Sequence, residues 1–424
     1  MSFGFAQKVI TPSIPCKLAG YAVTRNAEAV HDDLYVKVFV FQHDQKRYAI
    51  AAYDLLAVDH LLMNRVKERC KQSGLHFSQL TFSAIHTHSG PSGIIDSNHG
   101  FLKAAKSLLG EVNQAYIEYL CEQTLCALGE AVSELSEGSV KIAFGACEGI
   151  GSNRNDAELA GDPSLWIMEA RHEDKKALIV NFACHPTILK ADNCYISSDF
   201  CGAFASAMET EGYAMCMYLN GSCGDISSRF TRCGSNFQEA KRMGDKLAQA
   251  VKQLRSSVAP FELHTLVHTT LSLTLKGRVP QSIDSAKTMV EKRKAELEQG
   301  KARGLSTQEI RLLENAVEGA AADYLFALHD EGIREYPLNV EMLKLNDEIF
   351  IGFPGELFSQ LSNPYADAHT HFISYTNGYQ MYIADADAYD KHYYEAASSP
   401  FAKGEGERLM KEIVEQIKKW RNQK

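Results

Sequence analysis

Four times in this chain an apolar, β-favouring run stops at an ionisable residue beside glycine or proline. Thr81-Phe82-Ser83-Ala84-Ile85 leads to His86 and His88 before Ser89-Gly90-Pro91, and residues 176–184 lead to His185-Pro186. Residues 214–219 lead to Gly224-Asp225, and residues 348–353 to Pro354-Gly355-Glu356. In α/β sheets ligands bind at the carboxyl ends of strands, so side chains placed there converge. A single such residue is usually a loop residue or a helix cap, but four in one chain constrain the fold to one whose strand ends meet. His, His and Glu also form a zinc ligand set, and a catalytic zinc keeps one position open. On a strand, i and i+2 share a face, which would aim His86 and His88 into one site. That tripeptide alone is equally compatible with two histidines hydrogen-bonded within a loop.

The remaining periodicities surround these strand ends with helices. Apolar residues at three- and four-residue steps from Ile117 to Leu135 predict a core-facing helix over about 112–135. Further helices are expected over about 60–72 and 236–254, with a terminal helix over 405–420. Two charged helices fall at about 282–300 and 306–330, the second opened by the capping box Ser306-Thr-Gln-Glu309. They read as a solvated helical pair at the edge of the fold. The expectation is an α/β (α+β) fold, mixed β-sheets packed with helices. It predicts a single large catalytic domain over residues 1–424, with the helical pair at about 280–332.

Composition excludes several function classes. Lys+Arg 44 against Asp+Glu 53 gives −9 with no basic stripe, which argues against a nucleic-acid partner. No window reaches the roughly 18 uninterrupted apolar residues of a membrane span, so no integral membrane segment is expected. The first residues lack a basic region followed by an apolar one, so no signal peptide is expected. Eleven cysteines without C-x-x-C pairs fit neither a disulfide scaffold nor a cysteine zinc site. A cytoplasmic location is the corresponding expectation. Gly149-Ile-Gly151 does not complete a nucleotide fingerprint, since no helix pattern follows. His369-Thr-His371 resembles a metal pair but precedes a strand and is read as structural.

Ile85-His86-Thr-His88-Ser-Gly-Pro91, Ala183-Cys-His185-Pro-Thr, Gly224-Asp-Ile-Ser227, Pro354-Gly-Glu356 and Tyr393-Tyr394-Glu-Ala-Ala-Ser398 occur in this order. The series, with Asn153-Arg154 and Ser198-Asp199-x-x-Gly202, resembles the catalytic domain of neutral/alkaline non-lysosomal ceramidases, zinc amidases that cleave the N-acyl bond of ceramide. The resemblance covers almost the whole chain, without the C-terminal immunoglobulin-like domain of secreted members. It implies His86, His185 and Glu356 as ligands of Zn2+, completed by a tyrosine from Asn377-Gly-Tyr379-Gln-Met-Tyr382. Tyr382 is favoured there, because it stands twelve positions before Tyr394; Tyr379 is the other candidate. The resemblance further implies His88 as acid/base, Arg154 as substrate-positioning, and Ser227 and Tyr394 as substrate hydrogen-bonding residues.

The implied chemistry is metal-assisted hydrolysis of a linear amide. Asp54, Asp199 and Asp225 are candidates for the acid expected behind a ligating imidazole. Residues flanking the motifs depart from the family: Ser228-Arg229 replaces the usual Pro-Asn, and Asn155-Asp156 the usual Ser-Pro. The expected partner is a small-molecule N-acyl amide or lipid-like substrate, and an amide more soluble than ceramide is compatible with these changes. The alternative is a ligand-binding protein that retains the metal without turnover. A serine hydrolase using Ser227 is a third reading.

Overall fold

The structure, a computed structural model, describes residues 1–156 and 158–422, with the side chains of residues 307 and 308 outside the description. Ala157, Gln423 and Lys424, inside the expected 1–424 range, lie outside the described residues.

Strand composition explains the layering. In Tyr35–His43 the residues Val36, Val38 and Val40 face one way and Phe39 and Phe41 the other, and all five are buried. A strand with both faces apolar must be covered on both sides. The first sheet runs Gln79–Ala84, Lys46–Tyr53, Tyr35–His43, Ser2–Val9 and Ser136–Glu137. The valine face packs on the helices His60–Gln72 and Gln114–Ser133, through Leu62, Val66, Ile117, Leu120 and Leu128. The predicted stripe on the second helix is buried as read, except that Val132 and Leu135 are only half-buried at its end.

The phenylalanine face meets a second sheet of Met215–Asn220, Lys175–Phe182, Ser164–His172, Ser139–Ala146 and Ala259–Pro260. Phe3, Phe5, Phe39 and Phe41 pack there against Trp166, Met168, Ile179 and Met217. The outer face of this sheet carries Leu178, Val180 and Phe182 against the helices Asp199–Glu209 and Phe237–Leu254. Two sheets thus lie face to face between two helical layers.

A third sheet, Leu266–Lys276, Glu335–Leu345, Glu348–Gly352 and Thr370–Ile373, packs with the terminal helix Glu405–Asn422. Each large sheet contains a parallel pair: 46–53 with 79–84, 175–182 with 215–220, and 348–352 with 370–373. Within each sheet, two strands therefore deliver their carboxyl ends to the same edge.

Two asparagines tie those ends together. Asn220 donates to the carbonyls of Ile85 (2.9 Å) and Cys184 (3.2 Å), and its own carbonyl accepts from the Ser374 amide at 2.9 Å. Asn377 accepts from the Phe82 amide through Oδ1 at 2.8 Å and donates its amide to the Phe82 carbonyl at 2.9 Å. Both asparagines bond strand-exit backbone that no sheet partner reaches, as buried peptide groups require.

The helical pair is found at Ile283–Ala302 and Thr307–Leu328, with the capping box at Ser306 and Glu309. It is not remote from the site. A Cβ added at Gly319 would lie 3.4 Å from the Cα of Tyr394, so the second helix runs directly against that residue.

Candidate metal centre and active site

His86 does not lie on the strand that leads to it. The strand ends at Ala84, and His86 takes φ +72°, a left-handed conformation that costs a non-glycine residue energy. The expectation that i and i+2 share a strand face is therefore wrong in its geometry, although the two rings do meet. The His86 amide donates to the Leu55 carbonyl at 2.9 Å, and its ring stacks on Tyr375 at 4.0 Å. His88 returns edge-on to His86, with Nε2 to Nε2 at 3.1 Å.

His185 follows the strand Lys175–Phe182, and its amide donates to the Ile226 carbonyl at 3.0 Å. Glu356 pairs in register with Tyr382 on a short two-stranded parallel ladder, so these two are set side by side by backbone hydrogen bonding. Glu356 Oε2 lies 3.0 Å from His185 Nε2 and 3.5 Å from His86 Nε2.

Proton accounting shows what this cluster lacks. His86 Nδ1 donates to the Leu56 carbonyl at 2.8 Å and His185 Nδ1 to the Cys223 carbonyl at 2.6 Å. Each neutral ring then presents a bare Nε2 lone pair to the centre. Those lone pairs face one another and the Glu356 carboxylate, acceptor against acceptor. Burial holds His86, His88 and His185 well below the ordinary histidine pKa, so protonation does not resolve the conflict. A cation does. Donor atoms of His86, His88 and His185 all lie within 4.8 Å of one another, a group that could hold a metal ion. The donor set fits a metal.

The expected acid behind the imidazoles is absent among the described residues, because backbone carbonyls take that position. Asp54 faces Lys37 at 3.5 Å. Asp199 accepts from the Leu189 and Phe200 amides. Asp225 accepts from Asn153 and from the amide and hydroxyl of Ser359. These acids brace loops; none of them orients a ring of the cluster.

His88 differs from its neighbours. Its Nδ1 is buried with no hydrogen-bond partner, packed against Gly20, where a Cβ would come within 2.6 Å of the ring. Gly20 also has φ +91°, so glycine is required there twice over. The Tyr21 ring closes the other side at 5.0 Å.

Arg154 donates to the Tyr382 hydroxyl at 3.0 Å and to the Gly224 carbonyl at 2.8 Å. Its Nε pairs with Glu395 at 2.6 Å, and both side chains are buried. Asn155 donates to the other Glu395 oxygen at 3.0 Å. The Tyr382 hydroxyl thus accepts from a guanidinium, whereas the Tyr379 hydroxyl donates to Glu356 Oε1 at 2.7 Å. Tyr394 opens a short helix with its ring 6.0 Å from that of Tyr382, and burial pushes its pKa up to about 12. Ser227 Oγ accepts from the Arg229 amide at 3.3 Å and, among the described residues, has no hydrogen bond to a histidine.

The predicted residues His86, His88, His185, Glu356, Tyr382, Arg154 and Tyr394 therefore meet in one place, with Ser227 on the adjoining turn. Sequence reasoning passed over Glu395, Gly20, Tyr21, Tyr375 and Asn220. Only Glu395 carried a signal, since it stands inside the Tyr393-Tyr394-Glu-Ala-Ala motif.

These features define an α/β protein with a buried histidine–carboxylate cluster at converging strand ends. The family model described as neutral/alkaline non-lysosomal ceramidase, N-terminal, matches residues 2–216, and the chain belongs to that family. Among solved structures, neutral ceramidase from Pseudomonas aeruginosa is similar with a TM-score of 0.74 at 17% identity, over 98% of this chain and 74% of that one. A ceramidase complexed with C2 gives a TM-score of 0.74 at 16% identity, over 99% of this chain and 75% of that one. At such identities the likeness establishes the fold. No curated protein matches the chain. Family and fold together support a ceramidase-like hydrolase.

Proposed function

We propose that the protein is a zinc-dependent hydrolase of linear N-acyl amides, acting through one catalytic domain that spans the chain. The observation that carries this reading is the set of bare Nε2 lone pairs of His86 and His185 turned towards the Glu356 carboxylate. Zinc, when bound, supplies Lewis-acid polarisation of an amide carbonyl and a water acidic enough to react near neutral pH.

His86, His185 and Glu356 would hold the ion, with Tyr382 the fourth donor. Tyr382 suits the donor role because its hydroxyl accepts from Arg154 and gives no proton to Glu356, while Tyr379 spends its proton on Glu356. His88 is kept apart as acid/base. Ligating imidazoles are normally fixed through their second nitrogen, as His86 and His185 are, and His88 is not. Held neutral by burial, His88 can take the proton of the attacking water and return it to the amide nitrogen as the C–N bond breaks. Arg154, fixed by Glu395, and Tyr394 flank the position where the carbonyl oxygen gains charge. Ser227 serves as a hydrogen-bond donor on the adjoining turn.

The substrate on this reading is a small-molecule N-acyl amide or lipid-like amide. No helix among the described residues is long and apolar enough to cross a membrane. The eleven cysteines are free, which suits a reducing, cytoplasmic compartment. Zinc per chain and release of free amine from short N-acyl substrates test the proposal. Stoichiometric zinc with amine release that chelation abolishes is the expected result. Zinc-loaded protein that binds but never cleaves amides would leave a metal-retaining binding protein. Activity that survives chelation but vanishes in Ser227→Ala would leave a serine hydrolase.

A further inference from the structure

Three arginines stand beside the site on a chain whose net charge is −9. Arg229 is half-buried one turn from Ser227, and its Nη1 donates to the Arg154 carbonyl at 2.7 Å. Arg232 donates to the Thr187 carbonyl at 2.6 Å, two residues beyond His185. Arg25 lies under the Tyr21 ring at 4.6 Å and donates to the His88 carbonyl at 2.7 Å. All three spend hydrogen bonds on neutral carbonyls, which leave their charge uncompensated. Among the described residues none of the three forms an ion pair with a carboxylate, and Arg25 Nε is buried without a partner.

The nearby acids are already engaged. Glu395 holds Arg154 and Asn155, and Glu314 and Glu318 hold Arg311 on the helix that overlies the site. Asp199, within Coulombic reach of Arg232, is bonded to backbone amides. Burial first, then Arg154 and Arg311, push the Arg229 pKa down to about 10. Arg311 acts in the same direction on Arg232. Arg229 and Arg232 are therefore anchored beside Arg154 and the His185 turn with most of their N–H donors unspent. An arginine presents five donors in a planar fork that matches carboxylate and phosphate oxygens.

We propose that Arg229 and Arg232 bind an anionic oxygen-acid group that the substrate carries beside its scissile amide. The inference rests on the amidase reading for the words "scissile amide", but binding of the anion does not depend on turnover. The substrate class it names is an N-acyl amide bearing a carboxylate or a phosphate, such as an acylated amino acid.

The test uses matched probes on the full zinc-loaded chain: N-octanoylglycine against N-octanoylglycinamide, and N-octanoylphosphoethanolamine against N-octanoylethanolamine. Calorimetry should show the charged member of at least one pair binding about tenfold tighter or more, with the advantage shrinking as salt is raised. Whichever pair shows it identifies the acid. Where amine is released, the same preference should appear in kcat/KM, mainly through KM. Arg229→Gln should remove most of the preference, and Arg229→Lys should keep part of it. Equal affinities within both pairs overturn the proposal. So does a preference that survives both Arg229→Gln and Arg232→Gln but disappears on chelation, because the anion would then sit on the metal. If no probe is cleaved, the amidase reading fails, and the calorimetric preference still decides the anion site.

Discussion

The molecule contains two clusters made of the same parts, and only one of them has the chemistry of a site. Around Glu356, two histidines and a carboxylate are buried with the bare nitrogens facing inwards. Around Glu348, His371 Nε2 lies 2.7 Å from one carboxylate oxygen and His369 Nδ1 lies 2.6 Å from the other. There each oxygen has its own partner and nothing is left over. His86 and His185 turn their N–H groups outwards to the Leu56 and Cys223 carbonyls, so both present a bare nitrogen to Glu356 Oε2. The residue types are the same in the two places. The direction of the donors separates a bracing pair from a metal centre.

The sharpest way to break this comparison is to remove each carboxylate in turn. Glu356→Ala should lose zinc affinity by more than the 10- to 100-fold, roughly, that outer-shell changes cost, and lose amide turnover with it. Glu348→Ala should keep full zinc content and lose roughly 1–3 kcal/mol of stability, the cost of leaving buried groups unpaired. Zinc analysis beside urea denaturation reads both, and zinc loss in Glu348→Ala would end the distinction.

Next in size is Arg154→Gln, expected to lower kcat by about 10²–10³ while zinc is retained, as loss of a charge-stabilising donor does. Rapid-quench turnover on protein of confirmed zinc content checks it. Gly20→Ala should cost roughly 1–3 kcal/mol from overpacking and displace the His88 ring. Its signature is a lower kcat and an altered pH–rate profile with zinc content unchanged. If His88 were instead a ligand, zinc would fall as well.

The smallest effect is a pH slope at the bracing cluster. Burial acts to raise the Glu348 pKa, but the hydrogen bonds from His371 and His369 outweigh it and hold it below the ordinary 4.5. The native state therefore binds fewer protons than the unfolded chain in acid. This contribution is fully present above about pH 4.5 and is lost as pH falls through the lower native value. Glu348→Gln should flatten urea midpoints below that pH, and an unchanged slope would deny the carboxylate its role.

Much of this was legible in the residue order. The apolar steps from Ile117 to Leu135 announced a core-facing helix, and the four strand-end motifs announced a convergence. His86 shows where local reasoning stops. Nothing in Ile85-His86-Thr87 signals a left-handed turn, because that turn is held from elsewhere, by Leu55 just past the neighbouring strand and by Asn220 more than a hundred positions on. The acid sought behind the imidazoles illustrates the same limit. Any carbonyl can accept an N–H, so the choice of Leu56 and Cys223 leaves no mark on side-chain identity. Arg154 was read as substrate-positioning from the motif order, while its partner Glu395 lies some 240 residues away and became visible only through the fold.

The ladder that sets Glu356 beside Tyr382, tied through Asn220 and Asn377 to the two earlier sheets, has a consequence for biosynthesis. On the proposed donor set, His86 and His185 leave the ribosome long before Glu356, and Arg154 must wait for Glu395, some 240 residues later. A nascent chain therefore offers an ion two scattered imidazoles and no cage. Tight capture of metal becomes a late event that only a chain with its third sheet docked can perform. Ion uptake followed during refolding would then act as a clock for the arrival of the last sheet.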